Sequence, residues 1–108
     1  MPSPYQIIFC TCPDLETASQ LAHLLIQGKS AACVNILPGL ISIYPWQDKI
    51  ETAQEHLLII KTSEDQYQAV ETIINTHHPY ELPEIIAVPV ERGLPDYLQW
   101  IDSCLAIK

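Results

Sequence analysis

The chain predicts an α+β fold, a β-α-β-β-α-β sandwich with an antiparallel sheet and one extra helix at the C-terminus. Short runs rich in isoleucine, leucine and phenylalanine, bounded by proline and glycine, alternate with stretches in which apolar residues recur at helical spacing. Two extended runs are joined by only Gln47-Asp48, which marks a hairpin. A length of 108 residues suits a single domain, 1–108, with a modest core.

Tyr5 to Cys12 is a compact apolar run ended by Pro13 and reads as a strand buried on both faces. Asp14 then caps a helix in which Leu15, Ala18, Leu21, Ala22 and Leu25 share one face, and Gly28 stops it. Ala31 to Leu37 starts a second strand that continues from Leu40 to Trp46, with a bulge or bend at Pro38-Gly39. Lys49 to Lys61 is the returning strand, closing on Leu57-Leu58-Ile59-Ile60. In the hairpin loop, Asp48 tolerates positive φ better than most residues.

Ser63 and Gln66 read as a capping box, and Tyr67, Val70, Ile73, Ile74 and His77 repeat at helical spacing, which places His77 on the buried side. His78 lies about 100° further round and, as the residue before Pro79, is pushed towards extended geometry. Glu84 to Glu91 is a fourth strand, with Pro89 at an edge or outside the ladder. Pro95-Asp96 opens the last helix, whose apolar stripe is Leu98, Ile101 and Leu105, flanked by Trp100. This order is the split βαβ, ferredoxin-like arrangement.

One dimension is out of proportion. Hairpin strands of about 14 residues span roughly 46 Å, whereas helices of about 15 residues cover only roughly 22 Å. Half of the hairpin therefore projects past its own helices, and its apolar side chains and edge groups call for another subunit. Composition points the same way: 48% of residues are hydrophobic and 17% charged, less charge than the usual quarter or so.

Thirteen acidic against five basic residues give a net charge of −8, which repels phosphate backbones and anionic membrane surfaces. Nucleic acid and membrane are thus not expected partners, and no stretch approaches the roughly 18 apolar residues of a span. Met1-Pro2-Ser3-Pro4 has neither the basic nor the apolar segment of a secretory signal, so the cytoplasm is the expected compartment. There the four cysteines stand as thiols. Cys10 and Cys12, on one strand, point the same way about 6.6 Å apart, near the upper limit for bridging.

The segment His77-His78-Pro79-Tyr80-Glu81 sets two imidazoles where a helix stops and a strand follows. Imidazole is the commonest neutral metal ligand, so the pair is a candidate ion site. A histidine in a helix's last turn, with proline beyond it, is equally an ordinary stop signal. No nucleophile-base set or phosphate-cradling glycine loop stands out, and with three glycines in the chain an enzyme is not expected.

Thr11-Cys12-Pro13-Asp14, Ala31-Ala32-Cys33-Val34-Asn35-Ile36, Ser42-Ile43-Tyr44 with Trp46, and His78-Pro79-Tyr80-Glu81 with Pro83-Glu84-Ile85 occur together in one order. With Lys61-Thr62 and Tyr97-Leu98-Gln99-Trp100-Ile101, they make the chain resemble the CutA divalent-cation tolerance family over nearly its whole length. The resemblance implies a cytosolic homotrimer built through sheet edges and the long hairpin. It also implies a site for Cu2+, or another divalent cation such as Zn2+, on Cys10, His77 and His78. The chain departs from the family pattern at Asp48, where many relatives have glycine, and at Ser30, where leucine is usual.

A thiolate with two imidazoles suits copper and zinc on softness grounds. Cys12, at the strand end, is an alternative ligand, and Tyr80 and Glu84 are candidates to orient a histidine ring. Cys10, Cys33 and Cys104 also read as small buried hydrophobes. The alternative function is a PII-like signalling or effector-binding module, in which clefts of the trimer take a small molecule and metal binding is incidental.

Overall fold

The computed structural model describes residues 4–106; Met1 to Ser3, which belong to the segment read for a signal, and residues 107–108 of the expected domain lie outside them. The elements are β1 (Tyr5–Cys12), α1 (Leu15–Gln27), β2 (Cys33–Trp46), β3 (Lys49–Ser63), a 3-10 turn (Glu64–Gln66), α2 (Tyr67–His77), β4 (Ile86–Pro89) and α3 (Pro95–Cys104). One four-stranded sheet has the order β2-β3-β1-β4, with every pairing antiparallel. The expected element order and ferredoxin-like topology are what the chain adopts.

Alternation along β1 decides what is buried. Ile8, Cys10 and Cys12 stand opposite Ile60, Leu58 and His56 of β3. The first three, with Leu58 and Ile60, join Ala18, Leu21 and Leu25 of α1 and Val70 and Ile74 of α2 in one apolar core. Both helices thus cover the same face. On the opposite face Ile7, Phe9, Leu57 and Ile59 are only half-buried, and Leu37, Ile86 and Val88 are exposed. The expectation that β1 is buried on both faces holds for the helix side alone, because among the described residues no helix lies over the middle of the other.

Local chemistry accounts for most boundaries. The Asp14 carboxylate accepts the Thr17 N–H at 2.7 Å and caps α1. That bond holds the Asp14 carboxyl below its ordinary range. α1 ends at Gly28, as expected, but the left-handed residue is Lys29, at φ 55°. The bulge falls where proline and glycine were read: the β2–β3 register shifts between Leu37 and Leu40, and Gly39 takes φ +79°. At the hairpin tip both Gln47 (φ 49°) and Asp48 (φ 65°) are left-handed, the signature of a two-residue loop that matches strand twist.

Three expectations are corrected. Ser63 makes no side-chain cap bond; Glu64–Gln66 form a 3-10 turn, and the buried Gln66 amide donates to the Ala106 carbonyl at 3.3 Å instead. β4 is four residues long, not eight: its ladder runs only against Gln6 to Phe9 of β1, followed by a single bond from the Val90 N–H to the Tyr5 carbonyl at 3.0 Å. α3 ends at Cys104, and Leu105 is buried just beyond it, where the Ala106 N–H reaches the Lys29 carbonyl at 2.9 Å.

The long axis measures 45 Å, against 26 and 22 Å for the others, so the hairpin overhang is real. Past the bulge, Ile41, Ile43, Trp46 and Ile50 are 60, 70, 59 and 79% exposed. Leu21→Ala, which opens a cavity between α1 and the sheet, is expected to lower unfolding free energy by about 2–5 kcal/mol. Leu15→Ala at an exposed site should change it by less than about 0.5 kcal/mol. Urea unfolding at one fixed chain concentration measures both.

Candidate metal centre

The turn after α2 builds the site. His78 is the C-cap of α2: its N–H still bonds to the Ile74 carbonyl at 2.8 Å, while its backbone is already extended (φ −76°, ψ 139°), as a residue before proline must be. Val70, Ile74 and His78 therefore continue one stripe at i, i+4 and i+8, and the His78 side chain enters the core at 8% exposure. There a ring nitrogen meets the sulfurs of Cys10 and Cys12, both fully buried, with all three donor atoms within 4.8 Å of one another.

His77 is exposed, which overturns its expected place on the buried side. The buried stripe runs through Val70 and Ile74 and so passes to His78. Of the ligands implied by the resemblance, Cys10 and His78 are brought together, and His77 stands outside the cluster. Cys12, weighed earlier only as an alternative, is its third member. Glu84 is exposed, and its charge helps hold the Cys10 proton on.

The ring is fixed through both nitrogens. Nδ1 lies 3.1 Å from the Tyr80 backbone N–H, which can only donate, so the ring proton is on Nε2. Nε2–H donates to the Thr11 carbonyl at 2.8 Å. The Tyr80 ring packs on the imidazole with centroids 4.7 Å apart and planes tilted by 49°. Its hydroxyl donates to the buried Glu55 carboxylate at 2.8 Å. Burial, followed by that bond and the Glu55 charge, pushes the Tyr80 hydroxyl above its ordinary range. The Thr11 carbonyl and Glu55 carry no sequence signal, because a main-chain acceptor is invisible in side-chain spacing.

The two thiols divide their protons unequally. The hydrogen bond shared with Cys12, followed by burial, pushes the Cys10 thiol up, and the same bond pulls Cys12 down. The Cys10 sulfur also lies 3.8 Å from the Thr11 carbonyl. One further donor is near: His56, the ladder partner of Cys12, has a buried Nδ1 without a hydrogen-bond partner. Two thiols and an imidazole suit a soft or borderline cation.

Beside this cluster opens a cleft of about 1030 Å³ between the hairpin and the loop after α2. Thr11 reaches its floor, Tyr44, Trp46 and Tyr80 supply aromatic walls, and Glu51 and Glu81 are among its carboxylates. No lysine or arginine lines it, so its field favours cations.

Comparison with known proteins agrees with the residues. Residues 6–104 match the family model described as CutA1 divalent ion tolerance protein. The chain is 42% identical over 99 residues to the divalent-cation tolerance protein CutA of Yersinia pestis (strain Pestoides F), covering 92% of this chain and 83% of that one. It is 40% identical over 100 residues, 93% of its length, to the chloroplastic protein CutA of Arabidopsis thaliana, of whose length it spans 55%. The crystal structure of CutA from Xylella fastidiosa superposes with a TM-score of 0.94 at 49% identity, over 96% of this chain and all (100%) of that one.

Tyr80→Phe removes the donor to a buried carboxylate and is expected to destabilise by about 1 kcal/mol near neutral pH, the low end for a charged acceptor because Tyr80 is 37% exposed. The folded chain holds the hydroxyl proton more tightly than the unfolded chain does. This stabilisation is present in full below the unfolded value near pH 10 and is lost as pH rises through the folded one. Unfolding curves of the two proteins should therefore converge only above about pH 10.

Proposed function

Since the chain belongs to the CutA1 divalent ion tolerance family, we propose that it is a non-catalytic metal-binding protein that holds a divalent cation, copper or zinc, and serves metal tolerance. The observation that carries this reading is the buried meeting of Cys10 and His78, with Cys12, at the junction of β1 and α2. Their donors are of the soft and borderline type that copper and zinc prefer. The ion is cargo: it enters by displacing the Nε2 proton that His78 now gives to Thr11, so uptake releases a proton.

The working unit is proposed to be a homotrimer in the cytoplasm. Its support is the sheet face left open by the helices, from Ile7 and Phe9 to Ile86 and Val88, together with the apolar overhang of the hairpin. Both are of the kind that neighbouring copies cover. Among the described residues no helix is long and apolar enough to cross a membrane. The Arabidopsis relative is named as chloroplastic, so compartment is set case by case.

A second reading, an effector-binding module akin to PII proteins, is favoured by the cleft alone. Its aromatic walls and carboxylates suit an organic cation and not an anionic effector. Thermal shift separates the readings: stabilisation by amines or guanidinium compounds, and not by metals, favours the module.

Two measurements test the main reading. Titration with Cu2+ and with Zn2+ should load one ion per chain; His78→Ala should weaken binding by more than about 100-fold, and His77→Ala by much less. Undiminished loading of the His78 variant refutes the site. In sedimentation equilibrium the native chain should run at three times the mass of one chain. Placing Asp at both Ile43 and Ile50 should shift the mass towards one chain; a native monomer refutes the assembly.

A further inference from the structure

We infer that Cys12 is a ligand, and that with Cys10 and His78 it forms a two-thiol, one-imidazole site whose preferred occupant is the monovalent, soft ion Cu(I). This rests on the reading that the cluster is the metal site, and it says which form of the cation that site selects. Three features of the fold carry it.

The first is the donor set. A cysteine and a histidine alone suit many divalent ions, but a second sulfur shifts preference towards thiophilic ions, Cu(I) first among those a cell handles as copper. In the described residues the cluster that meets within 4.8 Å contains two sulfurs and one nitrogen, and no carboxylate. A hard divalent ion is left without the carboxylates it prefers.

The second is the strand. Cys10 and Cys12 are separated by one residue on β1, and the ladder to β3 holds them in extended geometry opposite Leu58 and His56. Strand rise sets their Cα atoms about 6.6 Å apart, at the far end of the range in which a disulfide closes without backbone movement. The pair is thus close enough to clamp one ion and too constrained to close easily on itself. Cu(I), which draws no electrons from thiols, suits such a dithiol.

The third is burial and low coordination. Cys10 and Cys12 are fully enclosed and His78 is 8% exposed. Three donors in a water-poor core accommodate the two- or three-coordinate geometry open to a d10 ion. A Cu(II) ion favours four or more ligands in a tetragonal array. The His56 Nδ1, buried and without a partner across from Cys12, is the donor outside the triad in this structure, and its removal serves as a control.

The test is an anaerobic titration of the full-length chain with Cu(I), in competition with a chromogenic Cu(I) chelator, beside titrations with Cu(II) and Zn(II). Native protein, Cys12→Ala, Cys10→Ala, His78→Gln and His56→Gln are compared. Cys12→Ala keeps a small apolar residue in the core, and circular dichroism with sedimentation verifies its fold.

Native protein should take one Cu(I) per chain. Cys12→Ala should weaken it by at least about 100-fold, beyond what loss of a merely supporting contact gives, and should weaken Zn(II) binding by a smaller factor. Copper K-edge absorption of the native complex, a readout independent of any variant, should show two sulfur neighbours and no Cu(II) signature.

Native Cu(I) affinity in a folded Cys12→Ala protein, or one sulfur neighbour at the edge, overturns the inference and leaves the Cys10–His78 site standing. Failure of the native chain to load any of the three ions at one per chain overturns the site reading itself, and this inference with it.

Discussion

The antiparallel register of β1 against β3 is the constraint from which the rest follows. It sets Cys10 opposite Leu58 and Cys12 opposite His56, so both thiols face the helices, and it sets the Thr11 main chain between them. A slip by one residue would turn Thr11 inward and both sulfurs out to the open face. Ile8 against Ile60, at the centre of the core, guards against that slip: a one-residue shift would expose the full length of both side chains. The same apolar burial that stabilises the sheet therefore also positions the donors.

The site is completed by a helix end, and its precision comes from a proline. Pro79 obliges His78 to leave helical geometry just where its stripe points into the core, while its amide keeps the last helical bond. The imidazole is then locked between a donor, the Tyr80 amide, and an acceptor, the Thr11 carbonyl. Both nitrogens of the buried ring are thereby satisfied.

Much of this was legible in the residues. Helical and alternating patterns gave the element order, Pro38-Gly39 the bulge, and Gln47-Asp48 the hairpin tip. What failed did so for identifiable reasons. The box read at Ser63 and Gln66 was outcompeted by a long-range bond from Gln66 to the C-terminal tail, which local pattern does not encode. His77 was placed inside because Tyr67, Ile73 and Ile74 fit a wide stripe; the narrower line of Val70, Ile74 and His78 won once the helix stopped. Cys12 was visible by strand alternation but was set aside in favour of Cys10. Thr11 and Glu55 had no such signal, since one acts through its carbonyl and the other through a tyrosine 25 residues on.

Tyr80 ties the buried cluster to the open cleft. Its amide fixes the His78 ring, its ring stacks on that imidazole, and its hydroxyl is held by Glu55, a carboxylate on the cleft wall. Thr11 does the same from the strand: its carbonyl holds the imidazole while the residue forms part of the cleft floor. The two residues that grip His78 thus both line the acidic cleft, and one of them is held by a carboxylate of its wall. The hairpin aromatics Tyr44 and Trp46 line the same cleft, so the exposed overhang and the His78 clamp share one surface.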